Sequence, residues 1–430
     1  MSEINQNEEF QYIKEQVKQA PLNRRKLMRR MIITALMAVI FGILACFTFL
    51  VLEPVFTNIL HPKEEPTAVV IPADTADEIL PEDMVLEEEP ETMIQVIEHK
   101  SVVDADPMQI FASQYDELYR ISQSIQPSIV TLSCMNQDVD WFDNEFTSKS
   151  TTNGIYVASN GIQVLILADA SFLTEGEDIS VTFSDGTAVH GELMQTDSNT
   201  GLCVVGVRIE DIPAKTFDKI KVVPLGNSKV SNLQGRPIIA VGRIYGVNDS
   251  VGYGILSAKG NYVNLVDQNY EILTTSIYGS PDARGLILNT SGEILGIIDQ
   301  SKSGLDDNTS VISAIGISEV KKDIERMSNG KARAFFGITG TDVTTLANET
   351  GGVPFGAFVT SVIIGSPAMN AGIQNGDVII KADNKEITKF SELTEIIESK
   401  YPSTTIPVTV MRQGGEEYVE MDLELTLGDM

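Results

Sequence analysis

The hydrophobic pattern divides the chain into segments of different character. From Met31 to Leu52 no charged residue interrupts an apolar run. At 1.5 Å per residue this run spans about 33 Å, the thickness of a bilayer's hydrocarbon core. Arg24, Arg25, Lys26, Arg29 and Arg30 precede it and Glu53 follows it. That asymmetry predicts residues 1–30 as a basic cytoplasmic tail, 31–52 as one transmembrane helix, and the bulk of the chain outside the cell membrane. A cleaved signal would have a shorter apolar core and a small-residue cleavage site, so the run reads as an uncleaved anchor.

Residues 53–112 lose the pattern. Pro54, Pro62, Pro66, Pro72, Pro81, Pro90 and Pro107 break each short apolar run, and carboxylates crowd between them. Such a composition predicts an extended, self-repelling extracytoplasmic linker. Its scattered acids lack the ligand repeat of a calcium loop.

Beyond Glu117 the period changes to that of short strands. Ser128 to Cys134, Gly154 to Ala158, Ile162 to Leu167, Ile179 to Phe183, Leu202 to Val207, Pro237 to Val241 and Gly254 to Ala258 are largely apolar or β-branched, with turn residues between them. Leu286 to Leu288 and Ile294 to Ile298 read as a buried hairpin around Asn289-Thr290-Ser291-Gly292. Ile317 to Met327 reads as a closing helix ended by Asn329-Gly330. Many short strands and few helices make the fold mainly β, a barrel or sandwich.

Composition narrows the function classes. A net charge of −29 and few basic residues exclude nucleic acid as a partner. Cys46, Cys134 and Cys203 form neither a disulfide framework nor a metal-ligand spacing; Cys134 and Cys203 are read as separate buried thiols. No metal or cofactor is expected.

The segment around the hairpin resembles the nucleophile region of the HtrA/DegP family of trypsin-like serine proteases, through Gly292-Glu293-Ile294-Leu295-Gly296-Ile297. The similarity extends through Gln126-Pro127-Ser128-Ile129-Val130, Val181 to Val207, Leu225-Gly226-Asn227-Ser228, Gly235 to Gly242 and Gly254 to Ala258. It implies a trypsin-like double β-barrel over residues 113–328, with a Ser-His-Asp triad as the family's catalytic apparatus. Counting back nine residues from Gly292, however, the nucleophile position holds Ala283. The base position holds Ala168, or Asp169 on a one-residue shift, and the orienting-acid position holds Gly201. Pro281 and Arg284 alter the oxyanion loop. Ser280 is a candidate for a displaced nucleophile, and Cys203, at the strand position of a core alanine, a weaker one; no histidine lies between residues 100 and 189 to serve as base.

Residues 329–430 resemble a PDZ domain. Phe335-Phe336-Gly337-Ile338 matches the loop whose amides receive a peptide carboxylate, and the strand after it offers an edge for β-augmentation. Ser366-Pro367 opens a helix that Gly372 ends, and Phe390, Leu393, Ile396 and Ile397 share one face of a second helix forming the other groove wall. Ile396 is assigned to the peptide site, Leu393 and Ile397 to the core. The resemblance thus implies a membrane-anchored pseudoprotease that binds peptide C-termini or unfolded segments through its PDZ domain. It would act as an adaptor, regulator or scaffold in protein quality control, alone, as a homo-oligomer, or with an active protease. The alternative is a working endopeptidase with a non-standard site.

Overall fold

A computed structural model describes residues 24–60, 66–74, 107–139, 145–173, 178–300, 310–415 and 417–430. They fall into two units, one ending at Glu65 and one beginning at Pro66. The described residues of the first form helix α1 (Arg24–Leu60), longer at both ends than the apolar run that predicts it. Its stretch Met31–Thr48 is long and apolar enough to cross a membrane.

The second unit opens with residues 66–74, part of the expected spacer. These residues are not free of the domain. Val69 is buried and exchanges hydrogen bonds with the Asn329 side chain. The Ile71 N–H donates to Glu325, and Asp74 accepts from Ser318 and Lys321. Helix α2 (Pro107–Ser124) begins inside the stretch expected as linker. Residues 61–65 and 75–106 of that stretch, which include His61 and His99, lie outside the described residues.

Two closed barrels follow. The first consists of β1 (Ile129–Val139), β2 (Glu145–Ser159), β3 (Gln163–Asp169), β4 (Ile179–Thr182), β5 (Ala188–Asp197) and β6 (Leu202–Arg208), in the order β1-β2-β3-β6-β5-β4. A one-turn helix, α3 (Ala214–Phe217), leads on to the second. That barrel consists of β7 (Pro237–Arg243), β8 (Ser250–Leu265), β9 (Gln268–Tyr278), β10 (Arg284–Leu288), β11 (Ile294–Asp299) and β12 (Val311–Gly316), in the order β10-β11-β12-β9-β8-β7. Helix α4 (Ile317–Ser328) closes the domain where its pattern predicts.

The PDZ-like part contains β13 (Ala334–Phe335), β14 (Ile338–Asp342), α5 (Thr345–Gly351), β15 (Ala357–Val362), α6 (Pro367–Ala371), β16 (Val378–Ala382), β17 (Lys385–Glu386), α7 (Phe390–Glu398), β18 (Thr405–Gly414), β19 (Glu417–Thr426) and β20 (Gly428–Asp429). Strand β14 forms one edge of the sheet β14-β15-β16-β18-β19. The Ser366 side chain caps α6 by accepting from Met369 N–H, Pro367 takes its first position, and Gly372 ends it in the left-handed region.

The long apolar runs have a geometric cause. Alternate residues of a strand face opposite ways. In β3, Val164, Ile166 and Ala168 fill the first barrel, while Leu165 and Leu167 join the core shared by the two barrels and α4. In β6, Cys203, Val205 and Val207 face inward, whereas Leu202 and Val204 face the shared core. Both faces are buried, so no polar residue alternates with the apolar ones. Strand β7 repeats the division, with Ile238 and Ala240 inward and Ile239 and Val241 toward the other barrel. Strands β1 and β6 are not neighbours, and no disulfide joins Cys134 to Cys203.

A buried polar network ties the barrels to the segment before β13. Arg333 Nη1 donates to Tyr270 Oη at 3.1 Å and lies 3.3 Å from Asp197 Oδ1, while its Nη2 donates to Gln268 Oε1 at 2.6 Å. Arg326 bridges Asp197 and Asp323. Burial pushes the Asp323 carboxyl up to about 6, against the pull of Arg333.

Candidate active-site cleft and carboxylate seat

The same parity that builds the shared core aims three charged side chains at the space between the barrels. Asp169 continues the face of Leu165 and Leu167. Arg284 continues the face of Leu286 and Leu288, and Asp299 that of Ile297. Strands β10 and β11 pair Arg284 directly with Asp299. Arg284 reaches across to Asp169 on the opposite barrel and lies 3.3 Å from Asp299. These residues, with Ser171, Gly242 and Arg243, line a cleft of about 500 Å³.

The positions read from the resemblance gather around this cleft. Gly201 has φ +71, and its carbonyl accepts from Ala170 N–H at 2.8 Å, one residue beyond Asp169. Ala168 packs in the first barrel's core, and both it and Asp169 border the cleft. Ala283 is fully buried in the second barrel's core, next to Arg284. Its N–H donates to the Ser280 carbonyl at 3.0 Å, and Pro281 has no N–H. An oxyanion site needs unspent donors aimed at the developing charge. In the loop that the resemblance assigns to this role, the Ala283 N–H is spent on Ser280 and Pro281 has none to offer.

Ser280 lies outside the cleft lining. Its N–H donates to Ile244 and its hydroxyl donates to Asp282. The Ser280 hydroxyl and other donors hold the Asp282 carboxyl below the usual range. Among the described residues the sole imidazole is His190, exposed on β5. Burial, reinforced by Asp169, pushes the Cys203 thiol up to about 12, so it carries no thiolate at neutral pH. No His, Cys, Asp and Glu cluster suited to a metal occurs among the described residues.

The loop Phe335-Phe336-Gly337-Ile338 has the backbone shape expected of a carboxylate receptor. Gly337 has φ +96, and a Cβ there would lie 2.1 Å from the Ser366 Cβ. Only glycine fits, and its conformation lets consecutive amides converge. A carboxylate already sits on them. Asp267, in the two-residue turn between β8 and β9, accepts from Phe336 N–H at 2.8 Å, from Gly337 N–H at 2.8 and 3.0 Å, and from Ile338 N–H at 2.9 Å. Its own N–H donates to the Ile338 carbonyl at 2.8 Å. The Asn269 side chain donates to Gly340 O, further along the β14 edge, and Thr394 on α7 donates to the Asp267 carbonyl at 2.9 Å. Both groove walls are thus in contact with this turn. Asp267 is 1 % exposed, and burial pushes its carboxyl up against the opposing pull of the three amides and Arg333. Phe336, Ile338 and Ile396 are buried in the PDZ-like core, and Phe335 is partly buried beside them.

Sequence reasoning names the loop but misses Asp267. The signal available was local: Val266-Asp267 flanked by alternating residues marks a hairpin turn. Nothing in that pattern says which loop, about seventy residues later, the turn would meet.

Comparison with known proteins agrees with both halves. A trypsin-like peptidase domain model matches residues 152–297 and a PDZ domain model matches residues 314–423. The chain is HtrA-like. It is 27 % identical over 278 residues to a probable periplasmic DegP-like serine endoprotease of Chlamydia muridarum, covering 64 % of this chain and 53 % of that protein. It is 27 % identical over 270 residues to the serine endoprotease DegS of Haemophilus influenzae, covering 61 % of this chain and 73 % of that one. The HtrA-like chain spans about half the length of the DegP-like relatives it matches. Among solved structures, an HtrA-type protease AlgW with a decapeptide superposes with a TM-score of 0.50 at 19 % identity, over 73 % of this chain and 98 % of that one, which speaks for the fold alone.

Proposed function

We propose that this HtrA-like protein is a pseudoprotease, anchored by α1 with its barrels outside the membrane, that works by binding rather than by cutting. The observation that carries this reading is the Ala283 segment. The residue at the nucleophile position is a methyl buried in the barrel core, its amide is bound to Ser280, and the amide two residues earlier is replaced by Pro281. Acyl transfer needs a nucleophile, a base and a stabilised oxyanion; loss of one triad member alone typically costs about four orders of magnitude or more in rate. The cleft instead contains an ion pair between Asp169 and Arg284. The PDZ domain supplies peptide binding, directed at free C-termini or unfolded segments, in the role of an adaptor, regulator or scaffold.

The test is labelling of the purified full chain with a fluorophosphonate probe beside a casein digest. No label and intact casein are expected. Labelling that disappears in Ser280→Ala, with casein cleaved, overturns the reading in favour of an endopeptidase with a rearranged site.

A further inference from the structure

We infer that Asp267 is a built-in ligand of the PDZ domain, holding the carboxylate seat in cis so that a free peptide C-terminus binds only by displacing the β8–β9 turn. This rests on the reading of the protein as a peptide binder and adds the regulation of that site. Three features go beyond ordinary packing. First, the side-chain carboxylate takes the amides of Phe336, Gly337 and Ile338 together, at 2.8 to 3.0 Å. Those are the donors a terminal carboxylate would need, and no second carboxylate can share them. Second, the Asp267 N–H bonds to Ile338 O and Asn269 bonds to Gly340 O, so the turn occupies the open side of β14 as an added peptide would. Third, the turn spans the groove, because Thr394 on the opposite wall holds the Asp267 carbonyl.

The arrangement has a conformational cost. Asp267 has φ +61, a left-handed conformation that aspartate tolerates better than most residues but that still costs free energy. The contact is also intramolecular, so its effective concentration exceeds that of any peptide in dilute solution. A peptide must therefore compete against a partner that is always present. Its apparent affinity is its intrinsic affinity reduced by the fraction of molecules with the turn released. Gln268, the next residue, accepts from Arg333 in the inter-domain network, so release of the turn would disturb that network as well.

The test is calorimetric titration of detergent-solubilised full chain, wild type and Asp267→Ala, with decapeptides ending in Val, Leu or Phe. Each peptide is used with a free carboxylate and as the C-terminal amide. Asp267→Ala is expected to bind free-carboxylate peptides at least about tenfold more tightly than wild type, and the amides not at all. Equal affinity of the two proteins overturns the proposal, because the seat would then be open in both. Absence of binding to either protein overturns it too, because the contact would then be a permanent structural joint. Hydrolysis of the peptides, read by mass spectrometry, would sink the pseudoprotease reading and leave this result standing by itself. Wild type alone gives a second reading. Saturating peptide must speed hydrogen exchange at the Asp267 amide, which otherwise donates to Ile338, and unchanged exchange overturns the proposal.

Discussion

The cleft between the barrels and the seat in the PDZ domain are both receptors occupied by the protein's own charges, but they differ in what has been kept. In the cleft the working groups of a peptidase would be side chains, and the positions that the family resemblance assigns to them hold Ala283, Gly201 and Ala168 or Asp169. In the seat the working groups are backbone amides, and all three converge on one carboxylate. Substitution readily removes side-chain chemistry. Backbone donors persist as long as the loop keeps its shape. The occupants differ as well. Arg284 is 38 % exposed and Asp169 18 %, whereas Asp267 is almost wholly buried. Solvent screens the first pair and leaves the second contact near full strength.

Four measurements break or sharpen that contrast. The largest effect is expected for Gly337→Ala, which puts a Cβ against Ser366 at a positive φ. It should cost about 3 kcal/mol or more in urea unfolding and abolish the seat. Next, Asp267→Ala leaves three amide donors without their acceptor. At about 1–3 kcal/mol per unsatisfied buried group, less whatever water recovers, a loss of roughly 3 kcal/mol is expected in the absence of peptide. A loss below that of Asp169→Ala would undo the contrast. The third concerns pH. The Asp323 carboxyl is raised from 3.8 to about 6 in the folded protein, through burial first. The folded state therefore holds more protons than the unfolded one between those values, and this group's contribution to stability falls as pH rises from about 4 to about 6 and is then flat. Asp323→Asn should remove that slope, worth roughly 1–3 kcal/mol, when urea midpoints at pH 5, 6 and 7 are compared. The smallest effect is expected for Asp169→Ala, at about 1 kcal/mol or less, because its partner is well exposed.

Much of the architecture is legible without coordinates. The apolar runs of β3, β6 and β7 name strands buried on both faces, and the helix from Ser366 to Gly372 is written in its own caps. Of the proposed site, the letters give only identity at a position: Ala283, Gly201, Pro281 and the Phe336-Gly337-Ile338 loop can be named from them. It was illegible where it depends on an encounter. The expectation of a wholly solvated spacer misses the docking of residues 66–74, because Val69 and Asp74 find partners more than two hundred residues away.

The sequence by itself determined the strands, the parity that turns Asp169 and Arg284 toward the shared core, the glycine that shapes the carboxylate loop, and Ala168 and Ala283, which the family resemblance sets against an imidazole and a hydroxyl. Tertiary structure alone decided that Arg284 meets Asp169 across two barrels and that Asp267 fills the seat. Local periodicity encodes which way a side chain points, because strand geometry repeats every two residues. It does not encode what stands opposite. That depends on how separately formed elements pack, and packing is a property of the whole chain.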